Sequence, residues 1–155
     1  MGEPAFYRHT VAALSPRLAV IVDALPLRQG LRVIEIGCGP GAAAREIAER
    51  VGPSGHLLAV DRSAKAITQL ATSAAELISA GRLTARQVAV EELELDPGEQ
   101  RYDIALAVRV GVLDGRHPLA GSLALARLGR ALVPGGRLFI DGGDPLREIN
   151  VPAGS

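Results

Sequence analysis

The sequence predicts an α/β fold, a doubly wound sheet of parallel strands with helices on both faces. Short strand-like runs at 31–36, 56–60, 83–88, 102–108 and 137–141 alternate with longer segments of helical periodicity. In the first two runs Leu31, Val33, Ile34 and Ile36, then Leu57 to Val60, depart from the every-other-residue pattern of a strand that faces water, so both faces of these strands are covered. The first run also ends in a glycine-rich turn that opens directly into a helix, a junction suited to ligand binding.

The 155 residues form one domain, large enough to bury a core without disulfides or metals. Lys+Arg and Asp+Glu balance at 17 each, so no strong field draws nucleic acid or an anionic membrane. Cys38 is the single cysteine, which excludes an internal disulfide and a cysteine-based metal centre. No metal site is expected. The start, Met1 to Tyr7, lacks the charged-then-apolar order of a leader and no apolar run spans a bilayer, so the expected compartment is the cytoplasm.

In chain order, Val11, Leu14, Leu18, Ile21, Val22 and Leu25 keep helical spacing, and Ser15-Pro16 has the residues preferred at a helix start. Next comes Leu-Arg-Val-Ile-Glu-Ile-Gly-Cys-Gly-Pro-Gly at 31–41. Gly37, Gly39 and Gly41 let the backbone turn sharply beside a ligand, and Ala42, Ala43 and Ala44 start a helix. As a dinucleotide fingerprint, Gly37, Gly39 and Ala42 fit Gly-x-Gly-x-x-Ala, implying NAD and an oxidoreductase. Pro40 and Glu35 oppose this, one by removing an N–H from a phosphate cradle, the other by placing negative charge beside it. A ligand with an ammonium and a sulfonium meets neither objection.

The stretch 33–41, with its acid and all three glycines, resembles motif I of the class I S-adenosylmethionine-dependent methyltransferases. The resemblance implies a Rossmann-like sheet in strand order 3-2-1-4-5 and S-adenosylmethionine as cofactor, with S-adenosylhomocysteine as product. Asp61, at the tip of the second strand, is placed to accept from both hydroxyls of a ribose and resembles the acid of motif II. A helix over 63–80 follows, capped by Ser63 and stopped by Gly81. Beyond the third strand, Ala89 stands where many members carry an adenine-binding aspartate, leaving the backbone near Val90 or the Glu91 carboxylate for that role. The cofactor-binding set expected from the resemblance is Glu35, Gly37, Cys38, Gly39, Gly41, Asp61, Arg62, Val90, Glu91 and Val108.

Asp96-Pro97-Gly98 is a turn, and Tyr102-Asp103 opens a fourth strand that resembles motif IV. Asp103 lies at the strand's start, away from the ligand end, and is structural. Ligands in doubly wound sheets bind beyond the carboxyl ends of the strands, so Arg109, Asp114 and His117 are the candidate catalytic side chains, with Arg109 also a candidate for holding the substrate. The resemblance implies that residues ahead of the first helix fold over the substrate, which makes Tyr7 and His9 candidates for holding it as well. A helix over 119–132 and the junction Pro134-Gly135-Gly136 lead to strand five, another stretch similar to the family. The expected layout is an N-terminal helical segment and lid over 1–30, the cofactor-binding core over 31–143 and a short tail over 144–155.

Twelve residues follow Gly143, too few for the helix and antiparallel hairpin the family usually adds. Strand five would then be an open edge with Leu138, Phe139 and Ile140, and we expect it to be covered by a second subunit, a partner chain or the chain ends. The function expected is methyl transfer to a small organic acceptor. The alternative is a methyltransferase-like binding or partner subunit with weak or absent activity.

Overall fold

The computed structural model describes residues 14–154. Tyr7 and His9 lie outside them. Ser15 caps the first helix, α1 (Pro16–Ala24), its Oγ accepting from the Leu18 N–H at 3.2 Å with Pro16 in the first turn. Then come β1 (Arg32–Ile36), α2 (Ala42–Val51), β2 (His56–Asp61), α3 (Ala64–Ser73), α4 (Ala75–Ser79) and β3 (Leu83–Gln87). A 3-10 turn at Val90–Glu92 precedes β4 (Tyr102–Ala107), and another at Gly111–Leu113 precedes α5 (Pro118–Ala131), β5 (Leu132–Asp141) and β6 (Leu146–Ile149).

The strands form one sheet in the order β3-β2-β1-β4-β5-β6. The first five are parallel, as expected, and β6 runs antiparallel to β5. Successive strand residues face opposite layers. Val33, Leu57, Ala59, Leu106 and Phe139 pack with Ile21 and Val22 of α1 and with Ile47 and Val51 of α2. Ile34, Leu58, Val60, Ala105 and Leu138 turn the other way, toward Ala124 and Leu128 of α5. Each fully buried leucine or isoleucine in these layers contributes roughly 1.5–3 kcal/mol.

Three details differ from the expected elements. The helix over 63–80 is broken at Ala74, where φ is −115°. The hydroxyls of Thr68 and Thr72 donate to the carbonyls four residues back, and Ser73 Oγ donates to the Pro40 carbonyl at 3.0 Å, contacts that bend a helix. Strand β5 begins five residues earlier than 137, at Leu132, with a register shift opposite Tyr102 and Ile104 that accommodates Pro134-Gly135-Gly136.

The third detail is β6, drawn from the tail, which covers the β5 edge by pairing Leu138 with Ile149 through to Asp141 with Leu146. The chain's own end therefore caps the apolar edge. Beyond β6 the tail crosses α5, where a Cβ on Gly129 would overlap the Pro152 carbonyl. Among the described residues no helix is long and apolar enough to cross a membrane.

Candidate functional site

The strands β1, β2 and β4 point their carboxyl ends into a cavity of about 720 Å³. Its floor is the turn after β1. Gly37, Gly39 and Gly41 have φ of 73°, 53° and 101°, in the region that favours glycine. Gly37 has a second reason to lack a side chain, since a Cβ there would lie 3.0 Å from Val110 Cγ2. The turn is held from within. Gly37 and Cys38 N–H donate to the Val60 carbonyl at 2.9 and 3.2 Å, Gly41 N–H donates to the Cys38 carbonyl at 3.2 Å, and Gly39 N–H donates to Asp61 Oδ2 at 3.0 Å. Pro40 has no N–H, so no main-chain donor from 37 to 41 is left for a pyrophosphate.

Two carboxyl groups face this turn. Asp61 ends β2 and accepts from Gly39 and, through Oδ1, from the Ser63 N–H at 2.9 Å. Glu35, on β1, is 4% exposed and its Oε1 has no hydrogen-bond partner. Burial, and secondarily the Asp61 charge, pushes the Glu35 carboxyl up to about 8. A buried, unsatisfied acid that lines a cavity suits a ligand group that donates and carries positive charge. Cys38 is also buried, and burial followed by the Glu35 and Asp61 charges pushes its thiol up to about 12, which removes it as a nucleophile at neutral pH.

Arg62, Val90, Glu91 and Val108 also line the cavity, so every residue of the expected cofactor set except Gly41 borders it, and Ala89 borders it too. Gly41 lies behind it, where a Cβ would overlap Leu70 of α3. Ile36, Val60, Val88 and Val90 supply apolar walls against which a flat base can pack.

The candidate catalytic residues separate. Arg109 borders the main cavity and also a smaller one of about 340 Å³, which Asp114 and Arg116 border as well. Asp114 is engaged by Arg116, accepting from its N–H at 3.0 Å and its Nε at 2.6 Å. His117 precedes α5, its carbonyl accepting from the Gly121 N–H at 2.7 Å, and borders neither cavity. Asp103 is structural, taking the Arg32 N–H at 2.9 Å at the opposite end of the sheet.

Sequence reasoning gave no role to Arg17 or Asp141. Arg17 of α1 lines the main cavity and donates through Nη2 to Asp141 Oδ2 at 2.9 Å. Asp141 Oδ1 accepts the Arg109 N–H at 3.0 Å. The only available signal was an acid at the last position of strand five, next to strand four. Among the described residues no cluster of His, Cys, Asp and Glu could hold a metal ion.

A family model described as a methyltransferase domain matches residues 27–150. The chain belongs to the S-adenosylmethionine-dependent methyltransferases. A protein-L-isoaspartate O-methyltransferase of Methanothrix thermoacetophila is 31% identical over 134 residues, covering 86% of this chain and 58% of that protein. A ubiquinone/menaquinone biosynthesis C-methyltransferase of Bordetella parapertussis is 30% identical over 122 residues, covering 79% of this chain and 44% of that protein. Among solved structures, an S-adenosylmethionine-dependent methyltransferase from Thiobacillus denitrificans, in complex with S-adenosyl-L-homocysteine, shares the fold. Its TM-score is 0.62 at 22% identity, over 83% of this chain and 48% of that one. The chain thus spans about half the length of the methyltransferases it matches. S-adenosylmethionine is the cofactor of this family, and the free Glu35 oxygen and the Asp61 carboxylate, both lining the cavity at the glycine turn, fit it.

Proposed function

We propose that the chain transfers the methyl group of S-adenosylmethionine to a small organic acceptor. The observation that carries this reading is Glu35, a buried carboxyl with an unpartnered oxygen on the wall of the cavity, with Asp61 beside it. When bound, the cofactor supplies an electrophilic methyl on a sulfonium that leaves as a neutral thioether. Such a displacement gains most from alignment, and a base is needed only for a weak nucleophile.

In this reading Glu35 receives the ammonium, Asp61 the ribose hydroxyls, and Val88 and Val90 the face of the adenine, with the Val90 backbone or Glu91 meeting its edge. Ala89 offers no side-chain acceptor there. The acceptor enters from the side of Arg109 to Val112, where the two cavities share Arg109, Val110 and Gly111. Arg109 is the side chain best placed to meet it. Asp114 is reached only through the smaller cavity, and His117 would need α5 to start differently. The internally bonded glycine turn disfavours NAD.

A second reading, a partner or binding subunit without turnover, draws support from Ala89. Incubation with methyl-tritiated S-adenosylmethionine and panels of small phenols, carboxylic acids and peptides separates the two. Label transferred to a small molecule supports the enzyme reading. Label on peptides alone would move the acceptor class to protein, and no transfer despite cofactor binding would favour the partner subunit.

A further inference from the structure

Asp141 closes β5 and uses both carboxylate oxygens on segments distant in sequence: Oδ1 on the Arg109 N–H and Oδ2 on Arg17 Nη2. Both segments are cavity walls, since Ser15, Arg17 and Leu18 at the start of α1 and residues 109–112 after β4 line the main cavity. Arg109 is the one non-glycine residue with positive φ among those described, at 59°. Such a conformation in a long side chain persists where its surroundings hold it, and the Asp141 carboxylate is the group bonded to its N–H. The next residue, Val110, abuts the glycine turn at Gly37. A displacement of this loop is therefore felt at the cofactor floor.

The Arg17–Asp141 pair is partly solvated, with side-chain exposures of 50% and 20%. Pairs of that kind contribute little to global stability, so what this one supplies is placement. From these contacts we propose that Asp141 is a positioning residue that holds the start of α1 and the 109–112 loop in one arrangement around the cavity. The inference rests on the cofactor reading for its consequence in binding, while the coupling of the two walls stands on the contacts alone. It also gives β6 a part in the site, because β6 pairs with Asp141 through Leu146.

The test uses the full chain in two measurements, hydrogen exchange of the free protein and titration with S-adenosylhomocysteine. In Asp141→Ala, amides at 15–24 and at 108–113 should exchange faster together, while those of β1 and β2 stay protected. Affinity for S-adenosylhomocysteine should fall about tenfold or more. Asp141→Asn keeps an acceptor for the Arg109 N–H and should stay within about threefold of the parent, with 108–113 protected. Arg17→Met should loosen 15–24 alone. Arg109→Gly, which adopts positive φ freely, should reduce the effect of Asp141→Ala on 108–113.

Unchanged exchange at either wall in Asp141→Ala would overturn the proposal. So would parent-like binding by that variant. If Asp141→Ala does not fold, loosening of 108–113 by Arg17→Met as well as 15–24 would overturn the separate roles assigned to the two oxygens. If the parent chain fails to bind S-adenosylhomocysteine, the cofactor reading fails, and the exchange pattern alone decides whether Asp141 couples the walls.

Discussion

Asp61 raises the proton affinity of Glu35 from the neighbouring strand, adding to a burial penalty that is already the larger cause. The buried Glu35 carboxyl has no hydrogen-bond partner for Oε1, while Asp61 accepts two backbone N–H groups. Glu35 is left to be neutral until something positive enters. This relationship gives the site a pH dependence with a definite sign.

Folded Glu35 keeps its proton up to about 8, against 4.5 for its ordinary value. Between those limits the folded chain binds more protons than the unfolded one, so stability falls as pH rises through the window. Its contribution is complete below the lower limit, and by the upper one a loss on the order of 3–5 kcal/mol has accumulated. Urea denaturation of the ligand-free protein should show this decline, and Glu35→Gln should flatten it. Binding of a cationic ligand beside Glu35 should release a proton at neutral pH, seen as a dependence of the calorimetric heat on buffer ionisation enthalpy. Equal heats in phosphate and Tris, after correction for the ligand's own titration, would contradict it.

Tyr102 is buried at the opposite end of the sheet and donates to Glu99 Oε2 at 2.6 Å, while Arg86 pairs with Glu99 at 3.1 Å. Tyr102→Phe leaves the buried end of that network short of a donor and should destabilise the chain by about 1–2 kcal/mol. Because the network lies away from the cavity, affinity for S-adenosylhomocysteine should not change. Weakened binding at unchanged stability would show that the two ends of the sheet are coupled.

The tail depends on Gly129. In an open helix Gly→Ala would gain about 1 kcal/mol of helix propensity. Here the new Cβ meets the Pro152 backbone, and a Cβ on Gly154 would in the same way meet the Gly129 carbonyl. Gly129→Ala should therefore lose about 1–3 kcal/mol net. The loss should come with faster hydrogen exchange in β6, and an increase in melting temperature would show that the tail does not need this crossing.

The strand–turn–helix at 31–51 was legible because its signals agree. The apolar Leu31, Val33, Ile34 and Ile36, the glycines at positive φ and the alanines opening a helix all specify the same geometry. Asp61 was legible because the end of a buried strand fixes where its side chain must be. The break at Ala74 was not, since it comes from hydroxyls bonding back to the main chain, which apolar periodicity does not register. Strand β6 was missed because Leu146-Arg-Glu-Ile is short and half exposed and gains its order from the β5 edge. The Arg17–Asp141–Arg109 arrangement joins residues up to 124 apart in sequence, and no local pattern announces it.

The most direct test of the central claim is isothermal titration calorimetry with S-adenosylhomocysteine on the parent chain and Asp61→Ala, with NAD as the comparison ligand. The cofactor assignment predicts binding by the parent in the micromolar range, a loss of about tenfold or more in Asp61→Ala, and no heat with NAD. A folded parent chain that binds neither compound, or Asp61→Ala binding as well as the parent, would contradict it.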